Sequence, residues 1–568
     1  MADVVFVVPS FRGYISENFI GTILLTTILK NNGVNAEILG FHDFGTLDDF
    51  DPFIENAIET IKNKHPRIVS FYTRCDTYLV TLKLAERIRA ELKDIYIVFG
   101  GPQSDLSAKE TMEYISSVDY ICCGEGETTV YPFFSSLLKN TPNLTVPGLV
   151  YRDGDKIIKN PRPAVIEDLD TLPELDYSLF YDNRLNDGED VYRFPVDVGR
   201  GCPFSCTFCS TKTFWNRRYR LKSAQRIVKE IKDVHEKFGV TEFSFKHDMF
   251  TMDKKRVSEV CKLLKTLDFP IKWSCSARVD CIDRELIDTM VDAGMYLLYV
   301  GVESGSPRIQ EIINKRLKLD GVTDLLKYIA SKGVGVTASL IFGFPEETEE
   351  DFSQTISFIK DIVDHPNIRI KVNMCTFFPG TEITTKYSHL LTRSSVLTNQ
   401  TNDRAVEECS EYIEKYPSLF PQYHEYKTEL REKMELFPDF FKFWKPLSPI
   451  YHYISTKYKK DRLCDMYFDF AKSNEEMLAQ HFKRTIYVFK NDKFIDSFKD
   501  DEKYTLIKEI QRYLIWKMES KEEAVDIFGF DVEKLEKTYS LDGIEEKAML
   551  VSLKRVAKDK IELSFHKF

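Results

Sequence analysis

Short, almost wholly apolar runs separated by amphipathic stretches of helical length recur twice along this chain, and that rhythm admits few folds. Across residues 1–145 the runs are Val4–Val8, Ala36–Leu39, Ile68–Tyr72, Ile95–Phe99 and Tyr120–Cys122. Between two of them Leu79, Val80, Leu84 and Ile88 share one helical face, behind Asp76 as the expected N-cap. Strands joined through single helices build a parallel sheet covered on both faces. The first domain is therefore predicted to be a doubly wound α/β unit, with its ligand crevice beyond the carboxyl ends of the strands.

The rhythm resumes at Val196–Gly199, Glu242–Phe245, Ile271–Ser274, Tyr296–Val302, Val336–Phe342 and Arg369–Phe377. Helical patterns such as Ile227, Val228, Ile231 and Val234 lie between them, and Gly239, Gly294 and Gly333 stand where helices should stop. Six such units predict a partial (β/α)6 barrel of TIM type over 191–383, with functional groups at the carboxyl ends of its strands. Residues 146–190 read as a linker: a hairpin from Val150 to Ile158, turning at Asp153-Gly154, then a proline-bearing stretch. Residues 384–568 lose the rhythm. Tyr412–Trp444 reads as helix, Thr485–Phe498 and Leu550–Phe565 as β segments, and Phe437, Phe440, Phe441, Phe443 and Trp444 as core. A mainly helical α+β cap closing the barrel mouth is expected there.

Composition narrows the function classes. At 568 residues and 43% apolar content, about three or four domains can be buried without disulfide staples. No run approaches the roughly 18 apolar residues needed to span a bilayer, and the start, Met1-Ala-Asp-Val-Val-Phe, lacks the basic region of a secretory signal. Twelve cysteines in such a chain point to a reducing, cytoplasmic setting in which clustered thiols bind metal or react. A net charge of −11 argues against a broad nucleic-acid footprint.

The chemistry concentrates in Gly199-Arg-Gly-Cys202-Pro-Phe-Ser-Cys206-Thr-Phe-Cys209. Three thiols directly after a strand can turn toward one centre, and thiolates are soft ligands for zinc or iron–sulfur clusters. Closed zinc sites want four protein ligands, and the remaining cysteines are scattered. A 4Fe–4S cluster held by only three thiolates leaves one iron open to another ligand.

This Cys-x3-Cys-x2-Cys loop, with aromatic Phe208 before the last cysteine, resembles that of the radical S-adenosylmethionine (radical SAM) superfamily. The resemblance implies a 4Fe–4S cluster on Cys202, Cys206 and Cys209. Its open iron would chelate S-adenosylmethionine, whose reductive cleavage releases a 5′-deoxyadenosyl radical. It also implies S-adenosylmethionine contacts at Phe208, Gly301, Glu303 and Ser339, with Glu303 near the ribose hydroxyls. Arg278 is assigned either to the methionyl carboxylate or to a structural ion pair. Motif-like segments follow in order: Gly301-Val-Glu303-Ser-Gly-Ser306, Phe342-Gly-Phe-Pro-Glu-Glu-Thr348 and Phe378-Pro-Gly-Thr-Glu382. The family's glycine-rich segment after the second strand is replaced by Lys246-His247-Asp248.

In the first domain Ser70-Phe71-Tyr72, Gly100-Gly101 and Gly124-Glu125-Gly-Glu127 resemble the elements of Rossmann-like cobalamin-binding domains, where glycines let backbone approach the nucleotide tail. The resemblance assigns Ser70, Tyr72, Gly100, Gly101, Gly124 and Glu125 to cobalamin. No histidine stands in the loop that would ligate cobalt, and His42 reads as an ordinary surface residue, so the implied cobalamin is base-off. A nicotinamide domain is disfavoured because no Gly-x-Gly-x-x-Gly follows the first strand.

Together these features are similar to the cobalamin-dependent radical SAM methyltransferases. They imply methylation of an unactivated carbon in a peptide or small molecule through methylcobalamin, with flavodoxin or ferredoxin as electron donor. A cyclase, ring-contracting or oxidising enzyme with the same cofactors is the first rival. A cobalamin-binding sensor is the second, disfavoured by the intact cysteine loop. The basic run Lys212, Arg217, Arg218, Arg220 and Lys222, interleaved with Trp215 and Tyr219, admits an RNA reading. A cofactor or structural role is preferred in so acidic a chain, so neither nucleic acid nor a membrane span is expected.

Overall fold

A computed structural model of the chain describes residues 2–10, 20–47, 49–179, 193–362, 365, 367–393, 403–428 and 430, and the backbone of two strands near the end, 549–557 and 560–567. Two compact units result. One takes Met1–Leu298, Glu311–Arg316 and Cys375–Lys427; the other takes Tyr299–Gln310, Leu317–Met374 and Thr428–Phe568.

In the first unit β1 (Val4–Val8), β2 (Ala36–Gly40), β3 (Ile68–Tyr72), β4 (Tyr96–Gly100) and β5 (Tyr120–Cys122) form the expected parallel sheet. Every residue of β1 is buried, as a strand covered by helices on both faces must be. The sheet continues through β6 (Leu149–Asp153) and β7 (Lys156–Lys159), antiparallel, to give the order β2-β1-β3-β4-β5-β6-β7. The chain reverses direction of growth between β1 and β3, and there the crevice opens.

Three local expectations change. The hairpin assigned to the linker belongs to the sheet, because Ile121 and Cys122 pair with Val150 and Leu149. Thr77, not Asp76, precedes the helix Tyr78–Glu91, since the Asp76 carboxylate is drawn to Arg74 at 2.6 Å. His42 is no surface residue: its side chain is only 9% exposed, and its Nδ1 lies 2.6 Å from the Ser10 hydroxyl.

The second sheet holds β8 (Phe194–Asp197), β11 (Glu242–Lys246), β12 (Lys272–Arg278), β13 (Met295–Glu303), β14 (Gly335–Phe342) and β15 (Ile368–Met374) in consecutive order. A two-residue ladder of β9 (Gly199–Arg200) with β10 (Arg220–Leu221) closes the cysteine loop between them. Gly239, Gly294 and Gly333 all take the left-handed backbone that ends helices. At Gly294 a β-carbon would sit 2.2 Å from the Ile271 carbonyl oxygen, so glycine is required.

The expectation that residues 384–568 cap the barrel falls mostly outside the described residues. Helices Asp403–Glu408 and Ser410–Lys415 return to the first domain, where Val406, Cys409, Tyr412, Ile413, Leu419, Phe420 and Tyr423 join its core beside Tyr78 and Leu82. Tyr416 stacks on Tyr114 at 4.8 Å. Phe437–Trp444 and Thr485–Phe498 lie outside the described residues. Met549–Ala557 and Lys560–Lys567 pair antiparallel, matching the β segment expected at Leu550–Phe565.

Candidate functional site

The cysteine loop is built on backbone that only certain residues tolerate. Gly201 has φ +85, and a β-carbon there would lie 1.9 Å from the Arg218 carbonyl oxygen. Its amide donates to Asp248 at 3.2 Å, and a turn joins the Cys209 amide to the Cys206 carbonyl at 3.2 Å. Farther along, Thr207 donates to the Ile313 carbonyl and Asn314 to that of Ser205. Burial pushes the Cys202 thiol up to about 12 and raises that of Cys209, and each thiol also feels its neighbours' charge. Iron binds such groups as thiolates, so taking up a cluster would release their protons. Among the described residues no three His, Cys, Asp or Glu side chains are set to hold a single metal ion. A four-iron cluster takes its thiolates at separate irons, and three thiols from one loop supply that donor set.

Arg278 is committed to this loop. Its guanidinium lies 4.0 Å from the Phe204 ring centroid and 3.9 Å from the Cys206 sulfur. It also donates to Asp280 at 2.7 Å and to the Lys315 carbonyl. Of its two expected roles, the structural ion pair is present. Phe208, beside Cys209, forms no part of the cavity described next.

Ser70, Tyr72, Gly100, Gly101, Gly124 and Glu125 all line one cavity of about 690 Å³. Gly199, Arg200 and Ser210 of the cysteine loop line it too. The two adjacent glycines do different things there. Gly101 has φ +96, and a β-carbon would meet the Thr73 backbone at 2.8 Å, so the fold itself demands it. A β-carbon on Gly100 would find nothing nearer than 3.9 Å, so packing within the fold does not require a glycine at this point of the cavity lining. That is a cradle fitted to a bulky tail lying on backbone. Gly100→Val is accordingly expected to fold, keep its iron and lose most bound cobalamin, read as the cobalt-to-iron ratio of purified protein. An unchanged ratio would remove Gly100 from the site.

Glu125 lines the cavity but spends its carboxylate elsewhere, on Arg200 at 2.6 Å, Arg220 at 2.9 Å and the Ile166 amide at 2.9 Å. The basic run is likewise consumed within the protein. Lys212 meets Glu382 at 2.7 Å, Lys222 meets Glu230 at 2.9 Å, Arg217 donates to the Pro203 carbonyl at 3.2 Å, and Arg218 lies 3.7 Å from Glu167.

Arg74, Trp215 and Lys246 also line the cavity, a place that the sequence reading assigned to none of them. Lys246 has its ammonium lowered to about 8 by burial. His247 is pushed down to about 4 by burial and is therefore neutral. Its Nδ1 accepts from the Met249 amide at 2.7 Å, which leaves Nε2 to donate to the Arg220 carbonyl at 3.2 Å. The segment that replaces the glycine-rich motif thus ties the cysteine loop to its strand.

In the second unit Glu303 ends β13, 8% exposed and with φ 71, an uncommon conformation for a residue with a side chain. The loop beyond is pinned. The Ser306 hydroxyl donates to Asp351 at 2.6 Å, and Gln310 donates to the Val302 and Ser304 carbonyls. A β-carbon on Gly305 would strike Phe358 and Thr355 at 2.7 Å. Gly301 lies two residues before Glu303 on the same strand. Ser339, on β14, accepts from Asn373 at 3.2 Å and bonds Tyr299, whose phenol burial pushes up to about 12. Glu347, in the Phe342–Thr348 segment, accepts the Gly343 amide at 2.5 Å while burial raises its carboxyl to about 8. The same carboxyl oxygen also accepts the Phe344 amide at 3.3 Å, which holds the turn of this loop.

Two family descriptions match the chain: the B12 binding domain over residues 19–132 and the radical SAM superfamily over residues 196–359. A protein of Pyrococcus horikoshii described as an uncharacterized methyltransferase, PH0819, is 31% identical over 351 residues, 61% of this chain and 72% of that protein. The cytidylyl-2-hydroxyethylphosphonate methyltransferase of Streptomyces wedmorensis is 26% identical over 371 residues, 57% of this chain and 69% of that one. Among solved structures, the cobalamin-dependent S-adenosylmethionine radical enzyme OxsB, with aqua-cobalamin and S-adenosylmethionine bound, shares the fold. Its TM-score is 0.57 at 16% identity, over 96% of this chain and 82% of that chain.

Proposed function

The chain belongs to the cobalamin-dependent radical SAM enzymes, and from that footing we propose that it methylates an unactivated carbon of a small-molecule or peptide substrate. Its cofactors are a 4Fe–4S cluster, S-adenosylmethionine and cobalamin. When bound they supply a carbon-centred radical and a transferable methyl group, the chemistry no protein side chain provides.

One observation carries the proposal: the residues assigned to cobalamin and the flanks of the cysteine loop open into the same cavity. Cys202, Cys206 and Cys209 would hold the cluster, and Gly100, with Ser70 and Tyr72, would receive the cobalamin tail. Glu303, buried at the end of β13, is assigned to the ribose hydroxyls, and Ser339 to the same cofactor. Phe214, Trp215, Phe378 and Pro379 add apolar wall to the cavity and keep water from a site where a stray hydrogen donor would quench the reaction. Among the described residues no helix is long and apolar enough to cross a membrane. A flavodoxin or ferredoxin is assigned as electron donor.

The test uses holoenzyme reduced anaerobically with S-adenosylmethionine carrying a deuterated methyl group. The expected result is label on the bound cobalamin together with formation of 5′-deoxyadenosine. 5′-Deoxyadenosine without label on cobalamin would overturn methyl transfer and favour a cyclising or oxidising reaction on the same cofactors.

A further inference from the structure

Four charged side chains, Glu125, Glu127, Arg200 and Arg220, are buried together where the loop after β5 meets the loop that carries the cysteines. Arg200 Nη1 meets Glu125 at 2.6 Å and its Nη2 meets Glu127 at 2.6 Å, so one guanidinium spans both carboxylates. Arg220 takes the remaining face of Glu125 at 2.9 Å. All four side chains are less than 10% exposed. The ladder of β9 with β10 sets Arg220 opposite Arg200. Both guanidinia lie over the Trp215 ring, 5.7 and 5.9 Å from its centroid, so neither arginine can swing away freely.

Burying ions is a poor way to glue two surfaces together. Desolvation costs about several kcal/mol per ion, and well-packed apolar residues of similar volume join surfaces as well or better. What a planar fork bonded to two carboxylates does supply is geometry, fixed in distance and angle.

The placement shows which geometry is held. Glu125 follows Gly124, whose amide is anchored by Asp105 at 2.8 Å, and both residues line the cavity. Arg200 stands two residues before Cys202 and is followed by Gly201, whose amide is anchored by Asp248. Each loop is thus anchored within its own domain and joined to the other through these charges.

We infer that Glu125, Glu127, Arg200 and Arg220 are positioning residues, which lock the loop beside the cobalamin cavity to the cluster loop and so set the separation of the two cofactors. The inference rests on the assignment of these loops to cobalamin and to the cluster. It assigns Glu125 a partner other than cobalamin itself. Arg200→Lys keeps the charge but cannot reach both carboxylates, Glu125→Gln keeps the shape without the charge, and Glu127→Gln removes a single arm.

The experiment is pulsed electron–electron dipolar spectroscopy on holoenzyme containing cobalt(II) and singly reduced cluster, with iron and cobalt assayed in the same samples. Wild-type protein is expected to show one narrow distance distribution. In Arg200→Lys and Glu125→Gln the distribution should broaden by at least about twofold with both cofactors retained, and Glu127→Gln should show a smaller change of the same kind. An unchanged distribution would overturn the inference. So would loss of solubility or of both cofactors in all three variants, which would make the network general packing. Should wild-type protein retain no cobalamin, the cofactor assignment itself fails, a result distinct from either.

Discussion

Simultaneous replacement of Cys202, Cys206 and Cys209 by alanine is expected to remove iron from the purified protein and to cut reductive S-adenosylmethionine cleavage by at least about a thousandfold, equivalent to roughly 4 kcal/mol of barrier. The loop should survive the change. Its shape rests on the Gly201 to Asp248, Thr207 to Ile313, Asn314 to Ser205 and Ile383 to Thr207 hydrogen bonds, none of which uses sulfur. Cobalamin retention should therefore persist while iron disappears, and iron assay, 5′-deoxyadenosine formation and cobalamin absorbance read the three outcomes separately. Cleavage of S-adenosylmethionine by the triple variant at wild-type rate would disprove the assignment of these thiols.

Ending the chain at residue 383 has an equally large effect through a different route. The segment removed carries Val406, Cys409, Tyr412, Ile413, Leu419, Phe420 and Tyr423, all buried in the core of the first domain. At about 1.5–3 kcal/mol for each large apolar side chain buried, their loss is on the order of 10 kcal/mol. That is comparable with the entire stability of an ordinary domain. It also uncovers Tyr78, which packs on Phe420 with ring centroids 6.0 Å apart, and strips Glu86 of the Tyr412 hydroxyl. The truncated protein is expected to be insoluble, or to lose the cooperative unfolding of its first domain in a denaturant titration. A soluble protein of wild-type stability and activity would refute this packing.

What could be read from the sequence was whatever is encoded locally. Buried parallel strands declare themselves as continuous apolar runs, so Val4–Val8, Ile68–Tyr72 and Tyr120–Cys122 coincide with β1, β3 and β5. The cysteine loop is legible because its spacing is the chemistry. Contacts between residues distant in the chain are not encoded in this way. Nothing near Glu125 announces that Arg200 and Arg220 will take its carboxylate, so a cavity-lining glutamate reads as a ligand. Arg278 carries no mark of the Lys315 carbonyl that engages it. The hairpin at Val150 looks like a linker because its turn is local, whereas its pairing with β5 is not. The helices at 403–415 failed to declare their place because an amphipathic segment specifies that it packs, not where.

The return of residues 406–423 to the first domain bears on the order in which this protein is made. Tyr78 emerges from the ribosome early, but Phe420, its partner in the core, follows more than three hundred residues later, after the whole of the second sheet. At about 5–20 residues per second the wait is on the order of tens of seconds. Through that interval the nascent first domain presents an apolar face that nothing yet covers, the kind of surface that chaperones hold. The crevice beyond β1 and β3 belongs to a domain finished only after the cysteine loop has emerged.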